Sequence, residues 1–386
     1  MEIRRGGKMG ILFHRAKEGR DPGVPLTETA WCTKGYSLAA LGRSEEAVET
    51  FDRAIALKPD YADAWAGRGT TLATLGRHEE SVASFDRAIT LKPGDPGVWY
   101  GKGVSLAALG RFEEAVAAYD HAIALEPDSA GAWVGRGTTL AALGRFEEAV
   151  AAYDHAIALK PDYTGAWVGR GTTLATLGRF EEAVADYDHA IALKPDETIS
   201  WHGRGALLAT LGRREEAVAS FDRAIALKPD DTMAWYGKGV SLAALGRREE
   251  AVQSFDRAIA LKPGYTEAWA GRGISLTRLG RHKEAVASFD RAIALKPDYP
   301  EVWYTKGYSL AKLGRQEEAV AAYDRAIALK PEYADSWFHK GFALNKLGRN
   351  QEAIASFKKF LACAPPEYAS QGKEVEQIIS MLAPFA

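Results

Sequence analysis

The residues with the richest chemistry in this sequence are three histidines spaced 34 residues apart, His121, His155 and His189. Imidazole is a common metal ligand, so regularly spaced histidines raise the question of a metal site. A shared metal needs ligand nitrogens about 2.1 Å from the ion, whereas helical units repeated at this spacing pack roughly 10 Å apart. The same place holds an arginine elsewhere, as in Arg53, Arg87 and Arg223. We therefore expect neither a metal site nor a catalytic role for these histidines.

Two other motifs with chemical potential also lack the context that their chemistry requires. The tripeptide Gly-(Lys or Arg)-Gly, as at residues 135–137, occurs seven times, but it lies inside a helical pattern and does not follow a strand, so it is no phosphate-binding loop. The two cysteines, Cys32 and Cys363, stand near opposite ends of the chain and form no disulfide framework. We expect a protein that is not an enzyme and that has no cofactor.

The tryptophans show that the 34-residue spacing is a property of the whole chain. All ten follow one another at that interval: Trp31, Trp65, Trp99, Trp133, Trp167, Trp201, Trp235, Trp269, Trp303 and Trp337. A fixed period of this length is typical of stacked supersecondary units, each of which packs only on its neighbours. We number each repeat so that position 4 is the tryptophan, which places ten repeats over residues 28–367.

Each repeat has the pattern of two helices joined by a tight turn. In repeat 4, Trp133, Leu140 and Leu143 recur at helical spacing, and a second such series contains Tyr153. Leu-Gly-Arg separates the two series in every repeat, and glycine there favours a left-handed residue that ends the first helix. A proline such as Pro161 prevents the second helix from continuing. We name the two helices A and B, and expect the glycine four residues after the tryptophan to face a small residue of helix B.

Charged residues form a second periodic pattern. Position 7 is Lys or Arg in all ten repeats, position 25 is Asp in the first nine, and repeat 10 has Lys358 at position 25. If each aspartate pairs with the basic residue of the next repeat, as Asp52 with Arg68 and Asp324 with Lys340, the last repeat needs no aspartate. We therefore predict a series of ion pairs between repeats, each worth about 0.2–1 kcal/mol because it is partly exposed.

The sequence resembles the tetratricopeptide repeat family over 340 of its 386 residues. The residues that carry the resemblance are exemplified by Trp65, Gly69, Leu72, Ala115, Phe221, Ala224 and Pro229. The resemblance implies an all-α fold, an α-solenoid in which ten helical hairpins form a right-handed superhelix. It also implies that helix A lines the concave groove, with positions 2, 5, 6, 9, 12 and 13 facing a ligand.

In repeats 3–5 most of these positions hold small, uncharged residues, including Gly101, Gly135 and Gly169 at position 6. Glycine inside a helix costs about 0.5–1 kcal/mol relative to alanine, so repeated glycine needs a reason. One reason is room for the backbone of a bound ligand. The other is that duplication copied a residue that is tolerated there, and the sequence leaves both open.

Repeats 8–10 combine aromatic and basic residues on the same face. Tyr304 and Tyr308, like Phe338 and Phe342, are four residues apart and so share a helical face. Aromatic side chains beside cations suit a peptide with an apolar anchor and an acidic group. The alternative is that the aromatics pack on the next repeat and the cations are solvated. The candidate peptide-binding residues are Tyr304, Tyr308, Lys312, Phe338, Phe342, Asn345, Lys346, Arg278, Tyr236 and Tyr100.

The segments outside the repeats are short. Residues 1–27 are basic, and their one apolar run, residues 11–13, is too short for a signal sequence or a membrane span, so we expect a poorly ordered leader. Residues 368–386 carry an apolar stripe at helical spacing, which predicts a helix that caps repeat 10. The stripe consists of Val375, Ile378, Ile379 and Leu382.

The charges of the chain are balanced, with 49 Lys and Arg against 51 Asp and Glu. This balance disfavours binding to nucleic acid or to an acidic membrane surface, and we expect a cytoplasmic protein. The sequence predicts a non-enzymatic scaffold that binds an extended peptide or protein partner in the concave groove. Two alternatives stay open: a structural element that self-associates end to end through its N-terminal end, and a targeting subunit for a separate catalytic chain.

Overall fold

The computed structural model describes residues 26–385, and this range contains helices and turns without a strand. Each repeat contributes one helix A and one helix B. The helices of the ten repeats are α1 Glu28–Ala40, α2 Ser44–Leu57, α3 Ala62–Thr74, α4 His78–Leu91, α5 Pro96–Ala108, α6 Phe112–Leu125, α7 Ala130–Ala142, α8 Phe146–Leu159, α9 Thr164–Thr176, α10 Phe180–Leu193, α11 Thr198–Thr210, α12 Arg214–Leu227, α13 Thr232–Ala244, α14 Arg248–Leu261, α15 Thr266–Arg278, α16 His282–Leu295, α17 Pro300–Lys312, α18 Gln316–Leu329, α19 Ala334–Lys346 and α20 Asn350–Cys363. The predicted all-α hairpin fold is confirmed.

Contacts divide the chain into two compact units, with the boundary inside α9. Unit 1 ends at Thr173 and unit 2 begins at Leu174. Within each unit, helix A packs on helix B of its own repeat, and that helix B packs on the next helix A, as α6 does on α7 and α14 on α15. Residues 1–25 of the predicted leader lie outside the described residues.

The Leu-Gly-Arg turn ends helix A as predicted. Its glycine has a left-handed φ between 73° and 81° in all ten repeats. In repeat 1, the N–H of Gly42 donates to the carbonyl of Ala39 and the N–H of Arg43 donates to that of Leu38, both at 3.0 Å, which is the Schellman arrangement. The Arg43 guanidinium donates two hydrogen bonds to the carboxylate of Glu46. This fork recurs in the other repeats and explains the arginine of the motif.

The tryptophan at position 4 ties each repeat to the one before it. In repeats 2–10 its indole N–H donates to the carbonyl of the proline that follows the preceding helix B, at 2.8–3.0 Å. Trp235 and Pro229 are one such pair. A half-buried indole needs a partner for its N–H, and the proline carbonyl lies just beyond the end of helix B, where the helix leaves it without one.

In repeats 1–4, 6 and 7, one aromatic ring of helix B lies between two glycines. A Cβ atom built on Gly205, at position 8 of the same repeat, would lie 3.0 Å from the Phe221 ring, and one built on Gly237, at position 6 of the next repeat, would lie 2.5 Å from it. In repeat 2 the position 8 glycine, Gly69, also meets the small residue Ser81 of helix B, as expected, since the Ser81 hydroxyl donates to the Gly69 carbonyl at 2.7 Å. The glycine is needed because the ring at position 24 occupies the space that a side chain would fill.

The predicted ion pairs between repeats are confirmed. All nine join position 25 of one repeat to position 7 of the next, with N–O distances of 2.5–2.7 Å. The basic partner is mostly covered and the carboxylate is half exposed, as shown by Lys238 at 21% and Asp222 at 49%. Such pairs fix which residues meet at each junction more than they stabilise it.

The C-terminal apolar stripe forms a capping helix, α21, Ala369–Leu382. Val375 is fully buried, and Ile378, Ile379 and Leu382 pack on the cluster that contains Phe357 and Leu361 of repeat 10. A terminal repeat has no neighbour to cover its apolar face. The capping helix therefore takes the place of an eleventh repeat.

We predict that Gly237→Ala lowers the free energy of unfolding by about 1–3 kcal/mol, because the added methyl group collides with the Phe221 ring and overpacked cores are destabilised by that amount. The measurement is the denaturant midpoint followed by circular dichroism. The matched control is Gly264→Ala, since a Cβ atom there meets nothing within 4 Å. Equal midpoints for the two variants would contradict the packing account.

We also predict a small coupling energy between Asp222 and Lys238. A double-mutant cycle with Asp222→Asn and Lys238→Met should give about 0.2–1 kcal/mol at low ionic strength, as for other partly exposed pairs. The coupling should shrink in about 1 M salt because the charges are screened. A control cycle that pairs Asp222→Asn with Lys262→Met should give none, and the same coupling in both cycles would refute the pairing.

Candidate functional site

In unit 2, the A helices of repeats 6–10 lie beside one another in succession, and these helices build the candidate site. In unit 2, neighbouring A helices approach within 8 Å between Cα atoms, as α15 and α17 do, whereas no such contact joins neighbouring B helices within the described part of that unit. The hydroxyls of Thr277 and Ser309 lie 2.9 Å apart across the α15–α17 junction. Because the A helices are the closer set, their shared surface is the inner face of unit 2. We call it the A face.

The aromatic residues predicted in repeats 9 and 10 form one continuous cluster on this face. The rings of Tyr304 and Tyr308, both in repeat 9, lie 5.7 Å and 5.5 Å from the ring of His339 in repeat 10. Phe338 and Phe342 are 4.9 Å apart in an edge-to-face arrangement. Such arrangements are the favourable ones for aromatic pairs.

Tyr304 and Tyr308 thus contact the next repeat, as one of the two alternatives from the sequence expects, and the rings also pack within their own repeats. Tyr304 lies 5.2 Å from Tyr333 at the end of its repeat, and burial raises its pKa above the ordinary range of a phenol. Phe338 lies 5.1 Å from Phe360. All four predicted aromatics are half-buried, so one edge of each ring is fixed by the fold and the other faces solvent.

The predicted basic residues border this cluster at the C-terminal ends of α15, α17 and α19. The Lys312 ammonium lies 5.2 Å from the centre of the Tyr308 ring, and the side chains of Arg278, Lys312 and Lys346 are exposed. None of the three forms an ion pair within the described residues. Asn345 is half-buried beside Lys346.

The remaining two predicted residues lie elsewhere. Tyr236, in repeat 7 of unit 2, is half-buried and packs 4.9 Å from Tyr265. Tyr100 belongs to α5 of unit 1, is 39% exposed, and lies 5.9 Å from Tyr119. The structure therefore brings together the residues of repeats 8–10, with Tyr236 one repeat away in the same unit.

Two histidines of this site were not predicted from the sequence. His339 occupies position 6, where seven repeats have glycine, and this exception was the signal that could have revealed it. His282, at the start of α16, lies 6.5 Å from Tyr308. Burial lowers the pKa of His282, and the nearby Lys312 charge lowers it further by a smaller amount. Burial also lowers the pKa of His339, where the Asp335 charge acts in the opposite direction and the Lys312 charge adds to the lowering.

The position 6 glycines of repeats 3–5 make room for an aromatic ring. A Cβ atom on Gly101, Gly135 or Gly169 would lie 2.6 Å from an aromatic ring of the preceding repeat. Neither explanation offered by the sequence included this contact with a ring. The packing of the rings Phe85, Tyr119 and Tyr153 requires these glycines.

The periodic histidines have a structural role where the structure shows their contacts. The ring of His121 stacks on Trp99 at 4.3 Å and that of His155 stacks on Trp133 at 4.5 Å. In other repeats an arginine lies over the tryptophan, as Arg53 does over Trp31. Across residues 26–385 no group of three His, Cys, Asp or Glu side chains is arranged to hold a metal ion. No helix in this range is long and apolar enough to span a membrane.

Comparisons with known proteins agree with this architecture. A family model for the tetratricopeptide repeat matches residues 32–96, 100–164, 137–198, 202–266, 236–300 and 304–368. The chain is similar to YrrB, described as a TPR protein with an unusual peptide-binding site, with 26% identity over 48% of this chain and 96% of that chain and a TM-score of 0.44. It is similar to a tetratricopeptide repeat protein from Parabacteroides merdae ATCC 43184, with 17% identity over 64% of this chain and 98% of that chain and a TM-score of 0.47. It is also similar to PilF of Pseudomonas aeruginosa, with 17% identity over 54% of this chain and 94% of that chain and a TM-score of 0.48.

No curated protein matches the chain. The family model nevertheless accounts for nearly all of the repeat region, from residue 32 to residue 368. Repeats of this family build protein-interaction scaffolds that are typically non-catalytic, and the ten hairpins support that functional class. The chain belongs to the tetratricopeptide repeat family.

Proposed function

We propose that this protein is a non-enzymatic scaffold that binds an extended peptide or protein segment on the A face of unit 2, with repeats 8–10 as the main contact. The observation that carries the proposal is the set of unpaired cations Arg278, Lys312 and Lys346 beside half-buried aromatic rings. Rings held rigidly on one edge offer apolar contact at a low entropic cost, which is characteristic of binding hot spots.

The contrast with the rest of the repeat supports a binding role for these cations. The basic residue at position 7 is used in the ion pair with the preceding repeat, and the arginine of the turn is held by a glutamate three residues later. Position 13 is uncharged in repeats 1–7 and basic only in repeats 8–10. A cation without an ion pair, present near half-buried aromatic rings, favours a ligand that supplies a carboxylate.

End-to-end self-association gains less support. Stacking a second copy after repeat 10 in the manner of a repeat would need an aspartate at position 25, and Lys358 stands there instead. Helix α21 also covers the apolar face of repeat 10. Action as a targeting subunit for a separate catalytic chain would use the same A face, so it differs from the proposal only in the identity of the partner.

The test is selection of twelve-residue peptides from a random phage-displayed library on the whole protein. The site variant combines Arg278→Gln, Lys312→Gln and Lys346→Gln, and the control variant combines Lys283→Gln, Lys359→Gln and Lys373→Gln. Both remove three exposed positive charges, so they share the same net charge. We expect acidic peptides with apolar or aromatic residues to be enriched on the wild type and the control, and not on the site variant. Enrichment of the same peptides on all three would place binding elsewhere.

We also predict that an acidic peptide recovered in this way binds more tightly as the pH falls from about 8 to about 6. Its carboxylate offsets the Lys312 charge, so the pKa of His282 and of His339 is higher in the complex than in the free protein, and the complex takes up protons. Each unit of pKa shift can raise the affinity by up to about tenfold. The measurement is the dissociation constant at each pH.

The control for this prediction replaces both histidines by residues that the chain itself uses at the same positions. His282→Gln copies Gln316, and His339→Thr copies Thr305, both from repeat 9. The double variant should bind with little dependence on pH over this range. If it shows the same dependence as the wild type, another group is responsible.

A further inference from the structure

The A face of repeats 8–10 carries three parallel rows of different chemistry. Positions 2, 9 and 13 fall within about 40° of one another around a helix of 3.6 residues per turn, so they form one stripe along each A helix. In all three repeats the stripe runs from an acidic residue through an apolar residue to a basic residue. The stripes are Glu267, Ile274 and Arg278; Glu301, Tyr308 and Lys312; and Asp335, Phe342 and Lys346.

The basic row is specific to these repeats, and outside them position 2 is acidic only at Asp63 of repeat 2. Repeats 3–7 have no charged residue at position 2 or at position 13. The side chains of Glu267 and Glu301 are exposed, and Asp335 is half-buried and accepts a hydrogen bond from the Tyr368 hydroxyl at 3.0 Å. None of the three carboxylates has an ion pair within residues 26–385. The A face therefore presents an acidic row and a basic row on either side of an apolar row.

The spacing that helix packing predicts along the rows is close to one turn of a polyproline II helix. Neighbouring A helices approach within 8 Å between Cα atoms, and packed helices have axes about 8–10 Å apart. A polyproline II segment has three residues per turn and a rise of about 3.1 Å per residue, hence about 9.3 Å per turn. A β-strand returns a side chain to the same side every two residues, at about 6.6 Å, which does not fit this spacing.

The three faces of a polyproline II segment also match the number of rows. When one face lies on the apolar row, the other two point toward the basic and the acidic rows. The basic row lies about 6 Å from the apolar row along the helix axis, and the acidic row about 10.5 Å from it. A short acidic side chain of the bound segment reaches the basic row, which is the nearer one. The acidic row is farther away and requires a long basic side chain of the segment, such as lysine or arginine.

We propose that the segment bound by repeats 8–10 has polyproline II geometry and carries one apolar, one acidic and one basic residue in each triplet, with one triplet per repeat. This inference rests on the proposed function and adds the conformation and the register of the ligand. Charge complementarity on two sides holds the segment in place across the repeats. It also explains why an acidic row is present beside a cluster suited to carboxylates.

The test uses fluorescein-labelled synthetic peptides and the whole protein, with affinity measured by fluorescence anisotropy at low salt. Two twelve-residue peptides contain four triplets, one in the order apolar, glutamate, lysine and one with the charges exchanged, because a segment can lie in either direction. Proline and leucine alternate as the apolar residue. A third peptide has the same composition in shuffled order, and a fourth places like charges seven residues apart to match an α-helix.

We expect one of the two triplet peptides to bind at least about tenfold more tightly than the shuffled peptide. The site variant that combines Arg278→Gln, Lys312→Gln and Lys346→Gln should lose this preference. So should Glu267→Gln with Glu301→Gln, whereas the control variant with Lys283→Gln, Lys359→Gln and Lys373→Gln should keep it.

The inference is overturned if the shuffled peptide binds as well as both triplet peptides, or if the α-helical peptide binds more tightly than either. In both cases peptides still bind and the proposed function stands. The proposed function itself fails only if the random library yields no peptide that distinguishes the wild type from the site variant. Triplet spacing of charges among the library peptides provides an independent check of the register.

Discussion

The contact on which the rest of this structure depends is an aromatic ring held between two glycine backbones. Phe221 meets Gly205 of its own repeat and Gly237 of the next, at distances that leave no room for a Cβ atom on either. A helical hairpin cannot bury its apolar face alone, so stability must come from the junctions between repeats. The ring sets how closely helix B approaches both A helices, and the indole hydrogen bond and the ion pair then specify which residues meet.

Because these contacts use other positions of the repeat, the residues on the A face can vary. Packing requires the residues at positions 6, 8 and 24, and the ion pairs require those at positions 7 and 25. Positions 2, 9 and 13 take part in neither the ring packing between glycines nor the ion pairs, so substitutions there change the surface without changing the fold. Nearly identical hairpins can thus carry an uncharged face in one part of the chain and a charged, aromatic face in another. His339 is an instructive exception, because it occupies a packing position and also joins the candidate site.

The balance of charge over the whole chain conceals this local difference. Most acidic and basic side chains that recur in every repeat are paired with one another, in the forks of the turns and in the ion pairs between repeats. Such pairs are screened by solvent and add little to the stability. The charges that are left on the A face of repeats 8–10 are therefore the ones available to a partner, where they affect the rate and the specificity of association more than the affinity.

The sequence by itself determined the features that depend on local geometry or on the period. The two helices, the left-handed glycine at residues such as Gly42 and the proline stop follow from backbone preferences, and the pairing of Asp52 with Arg68 follows from the exception at Lys358. Helical spacing also showed which aromatic and basic residues of repeats 8–10 share a face. Only the tertiary structure decided what lies against each face. It placed an aromatic ring against the position 8 glycine, and it brought His282 and His339 close to Tyr308. The reason is that periodicity gives the direction of a side chain around its own helix, whereas its neighbour comes from another helix whose approach is set by packing.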